Sequence, residues 1–131
     1  MERGRTKLEA PAGSGVVVPP TSVGARLGEL AEADLLALRL AAQVLGHKAG
    51  LLGRPTVVDW FAALEHAVDF EMARRGVGFV LGPAPELRLP AHADGADRRL
   101  LADHLGLLAD NDRLAPQVRA LCAELQATIN E

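Results

Sequence analysis

Tyrosine is absent from this chain, and three Phe and one Trp leave it only 3% aromatic. A core with so few rings has to be filled by Leu, Ala and Val, which suits helices better than a β-sandwich or barrel. Cysteine is almost missing too. Cys122 stands alone, so no internal disulfide can form, and a reducing compartment, by default the cytoplasm, is expected. Serine occurs only at Ser14 and Ser22, which leaves little for serine-based acyl transfer. No apolar run approaches the length that spans a bilayer, and the basic N-terminus has no secretory apolar core behind it. Basic excess is lacking as well: 14 Lys and Arg against 17 Asp and Glu give a net charge of −3. That balance argues against a general binder of nucleic acid or of membrane surfaces. No phosphate-cradling glycine loop occurs, because Gly13-Ser14-Gly15 runs on into valines and prolines.

What is present is 131 residues, 49% of them apolar, enough for one core and too apolar for disorder. The text reads as an all-α bundle of four to five helices over residues 21–131, preceded by a flexible tail over 1–20. The tail is rich in Gly and Pro and shows no helical period, although its Val16–Val18 run could pair with a partner strand.

The best-specified stretch is Thr56–Gly76. Placed at 100° per residue, Val57, Phe61, Leu64, Val68 and Met72 form one stripe with Trp60 on its flank. Thr56 and Asp59 have the spacing of a capping box, and Gly76 can take the left-handed stop conformation. Glu71 falls inside the apolar sector with Arg75 one turn on, the arrangement of an i,i+4 ion pair. Before this helix, a break near Ala31 divides a short helix at 22–30 from a longer one at 32–46, which places Asp34 in a favourable first turn. Gly46, Gly50 and Gly53 then read as breakers, with Leu51 and Leu52 plugging the end of the bundle. Beyond Gly76, residues 77–90 read as a short β-hairpin or an extended strap, limited to edge pairing by Pro83, Pro85 and Pro90. Asp94 and Asp97 open a helix to about Ala109, a tight Asn111–Asp112 turn follows, and the last helix spans about 115–130 with Pro116 in its first turn.

The apolar arc of the 32–46 helix exceeds half its circumference, more than one neighbour can cover. The leading expectation is therefore a non-catalytic interaction or assembly module, a homodimer or a partner of another protein. Its contact surface would comprise Leu36, Leu40 and Val44, joined by Leu51 and Leu52. No cofactor is expected. A second reading takes the helix–helix–hairpin order as a winged helix-turn-helix, with Lys48 and Arg54 on DNA, although the would-be recognition helix carries Asp59, Glu65, Asp69 and Glu71. A third reading places a divalent metal on Glu65, His66 and Asp69 at a dimer axis, against the Glu-x-x-His order of di-iron bundles. His104 on an apolar helix face and Cys122 on the last helix read as a satisfied core histidine and a packed thiol.

Overall fold

The computed structural model describes residues 20–80, 82 and 85–130. Five helices follow one another: α1 (Pro20–Gly28), α2 (Glu32–Leu51), α3 (Pro55–Arg74), α4 (Gly95–Ala109) and α5 (Pro116–Asn130). The expected all-α bundle is what forms. Among the described residues of 77–90 there is no strand, only a bridge position at Leu87, and those residues form an extended strap. Leu87 is buried and pins the strap to the core. The tail, including Val16–Val18, lies outside the described residues, except that Pro20 already belongs to α1.

α2 packs along α3 and α4 along α5, two antiparallel pairs joined through α4, while α1 rests on α3. The centre is α3. Val57, Phe61, Leu64 and Val68 are completely buried, with Trp60 and Met72 beside them, as their helical spacing dictates. Leu27, Leu30, Leu35, Leu38 and Leu45 close over this stripe, and Leu101, Leu105, Leu121 and Leu125 cover it from the second pair.

α1 ends at Gly28 and α2 begins at Glu32, so the break expected near Ala31 exists and Asp34 lies in the first turn of α2. α2, however, runs on to Leu51. Gly46 and Gly50 do not break it: a Cβ at Gly46 would stand 3.4 Å from the Cβ of Phe61, and one at Gly50 3.7 Å from Val58 Cγ2. Gly46, which is buried, lets α2 lie close against α3, whereas Gly50 has ordinary room there, and the packing of the helix outweighs a penalty of about 1 kcal/mol for each glycine. Only Gly53 stops the helix, at φ 73°. The Gly53 N–H donates to Gly50 O and the Arg54 N–H to Ala49 O, the paired bonds of a Schellman turn. α3 closes the same way: Gly76, at φ 85°, donates to Ala73 O and Val77 to Met72 O.

The capping box expected at Thr56 and Asp59 does not form. Arg54 is the N-cap residue, with no side-chain cap bond, and Pro55 occupies the first turn. Its fixed φ and missing N–H suit that position. At α4, whose expected start is at Asp94 and Asp97, a capping box does form: Asp94 accepts from the Asp97 N–H at 2.8 Å while the Asp97 carboxylate faces the Asp94 N–H at 3.4 Å.

Candidate functional site

Leu36, Leu40, Val44 and Leu51 lie along the outer face of α2, and Leu52 follows at its end; these five are 51–75% exposed. The helical angle explains the row. Leu35, Leu38, Ala42, Leu45 and Ala49 face the core, and Leu36, Leu40, Val44 and Leu51 stand on the opposite side. Leu51 and Leu52 therefore do not plug the bundle end. The extension of α2 past Gly46 carries Leu51 round to the solvent side. The same extension places His47 on the helix rather than in a loop, in the middle of the row.

Beside the row runs a groove between α2 and α3 of about 330 Å³, walled by Gln43, Gly46, His47, Leu51, Val58 and Glu65. Gly46 and Gly50 leave it open. Ala33, Ala37 and Gly50 border the row with little bulk. Arg39 and Lys48 lie on opposite edges of the row, and Glu32 stands one turn before Leu36. Arg39 is engaged by its own chain, donating to Asp69 at 2.8 Å and approaching Glu65 at 4.0 Å.

That last contact bears on the metal reading. Glu65 and Asp69 share a guanidinium instead of an open site, and among the described residues no three His, Cys, Asp or Glu converge as a metal would require. The nucleic-acid reading finds its two residues apart in role. Lys48 is exposed, whereas Arg54 reaches Asp94 and Asp97 at 3.4 and 3.5 Å and ties the start of α3 to the cap of α4. α3 is the core helix, and α2 lies along it rather than crossing it.

Two polar features lie inside the bundle. Glu71 is buried and accepts from Arg74 and Arg75, each at 2.7 Å. The expected ion pair is there, with a third role that local spacing does not reveal: Arg75 also donates to the carbonyls of Leu27, Gly28 and Leu30. It thereby caps α1 and fixes it on α3. The Arg74 guanidinium first, and Arg75 after it, holds the Glu71 carboxyl below its ordinary value, against the opposing effect of burial.

The second feature is His104, against the Phe61 ring with centroids 6.0 Å apart. It was expected to be satisfied and is not. Among the described residues neither ring nitrogen has a hydrogen-bond partner, nor does the Trp60 Nε1. Burial, and secondarily Lys48, pushes the imidazole toward its neutral form. Burial likewise pushes the Cys122 thiol up to about 12, which removes the thiolate a nucleophile needs at neutral pH.

Sequence reasoning missed Phe79, which is 83% exposed on the loop between Gly78 and Gly82, both at positive φ. The clustered glycines were its only signal. Among the described residues no helix is long and apolar enough to cross a membrane. No family model matches the chain, and no curated protein or solved structure shows significant similarity to it.

Proposed function

We propose that this chain is a non-catalytic assembly module that associates with itself through the outer face of α2. The carrying observation is the row of Leu36, Leu40, Val44 and Leu51, interrupted only by His47, with Leu52 at its end, these five half to three-quarters exposed. Side chains exposed to that extent present roughly 500 Å² per copy, and two such faces together reach on the order of 1,000 Å², the lower limit of specific interfaces. Each side chain gains roughly 1–2 kcal/mol on covering its remaining surface. Ten of them in two copies give about 10–20 kcal/mol gross, against an association cost of about 4–15 kcal/mol. The balance supports a weak, concentration-dependent dimer rather than an obligate one. The buried Cys122 and His104 offer no accessible nucleophile or base, and a lone buried thiol suits the reducing cytoplasm.

Sedimentation velocity over a range of concentrations tests this reading with Leu40→Glu beside the unmodified chain. The unmodified protein is expected to shift toward dimer as concentration rises. The variant stays monomeric with unaltered helical circular dichroism. A variant that unfolds would show that this face is intramolecular core, and an unmodified chain that remains monomeric at several hundred micromolar removes the proposal.

A further inference from the structure

The spacing of the exposed positions along α2 is the same read in either direction. Leu36 and Leu51 stand at equal distances from the middle of the row, as do Leu40 and His47, with Gln43 and Val44 at its centre. All six are exposed. A surface that pairs with itself about a two-fold axis needs positions that fall opposite one another, because an isologous interface brings residue i against j and j against i. We propose that α2 pairs with α2 of a second copy in antiparallel register, about a two-fold axis passing between Gln43 and Val44. The inference rests on the proposed self-association and adds the orientation and register.

In this arrangement Leu36 of each copy meets Leu51 of the other at both ends of the contact. Leu40 meets His47 one turn further in, and the two Val44 side chains meet near the axis. The low flanks at Ala33, Ala37 and Gly50 allow the shallow crossing of about 20° at which two helices stay in contact along their length. A parallel pairing would also bring leucine to leucine, but it sets His47 on His47 and aligns the two helix dipoles, whereas the antiparallel one opposes them. Arg39 and Lys48 border opposite edges of the row, and Arg39 is already neutralised by Asp69 and Glu65, so neither places a charge inside the contact.

Register is read directly by single-cysteine variants under mild oxidation, because Cys122 is the chain's only cysteine and is fully buried. Val44→Cys is expected to form a disulfide-linked dimer. Leu36→Cys alone is expected to remain unlinked, since the two copies of that position lie roughly 22 Å apart along the helices, far beyond disulfide reach. An equimolar mixture of Leu36→Cys and mass-tagged Leu51→Cys chains is expected to cross-link as the mixed species. Cross-linking of Leu36→Cys to itself as fast as Val44→Cys would establish a parallel pair and overturn the register. Val44→Cys left unlinked in a protein that sediments as a dimer would place the contact on another face. An unmodified chain that sediments as a monomer at every concentration would instead sink the self-association on which this rests.

Discussion

Glu71 is 5% exposed between two guanidinium groups. A buried ion pair contributes little net stability when formed, but losing one partner strands the other. Here Arg74 is largely exposed and can return to water, while Arg75 is three-quarters buried and still holds the α1 carbonyls. Glu71→Gln should therefore cost about 2 kcal/mol in urea unfolding, below the full penalty for breaking a closed pair. The acid limb gives a second check. Because the folded carboxyl titrates below its ordinary value of about 4.3, the stability it confers is complete above that value and fades as pH falls through the lower folded one. The stability curves of the two proteins should thus converge below about pH 4. His104 carries the opposite expectation for its removal. Its buried nitrogens have no hydrogen-bond partner among the described residues, so His104→Leu should raise stability by about 1–3 kcal/mol at neutral pH. Folding favours the neutral ring, so the unfolded chain takes up the proton first, and stability falls as pH drops from about 6.5 toward the lower folded value. The variant should lose that slope. Of these two sites, Glu71 with Arg75 was legible as an acid inside an apolar sector one turn from a base. The reach of Arg75 to carbonyls 45–48 residues earlier was not, since local periodicity holds no information about distant backbone.

Among the elements, helix stripes were the most legible feature and glycines the least. The buried positions of α3, α4 and α5 follow from apolar spacing, and the Asp94–Asp97 cap from a local hydrogen-bonding pattern. A glycine, by contrast, reads alike whether it ends a helix or lets a neighbour approach. Gly50 and Gly53, three residues apart, separate the two cases. Gly50 is helical, with ordinary van der Waals room toward Val58, whereas Gly53 sits at φ 73°. Gly50→Ala should accordingly stabilise by about 0.5–1 kcal/mol, and Gly53→Ala should destabilise by about 1–2 kcal/mol. Urea unfolding of both variants decides it. Destabilisation by both would mean that α2 ends before Gly50, as the glycine breakers after residue 46 alone suggest, and Leu51 would then lose its place in the exposed row.

At the scale of the whole molecule, the arc of α2 showed that the helix has two apolar sides. It could not show what covers the second, because periodicity describes one chain. The bundle supplies half of the answer: α3 and the second helix pair take one side, and none of the described residues takes the other. If a second copy takes it, folding and association are linked, and the folded state gains about 1.4 kcal/mol when the protein concentration reaches ten times the dissociation constant. For a chain of this size that corresponds to a rise of about 2–6 °C in thermal midpoint. The midpoint should therefore climb on concentrating the unmodified protein from about 5 to about 500 micromolar and stay level for Leu40→Glu. Salt supplies the control. An apolar contact with its charges at the edges should hold its concentration dependence between about 0.05 and 0.5 M salt, whereas pairing through exposed charges would fade over that range. A midpoint indifferent to dilution in both proteins would leave the α2 row as ordinary monomer surface, and the excess of apolar area on that helix would then have no part in assembly.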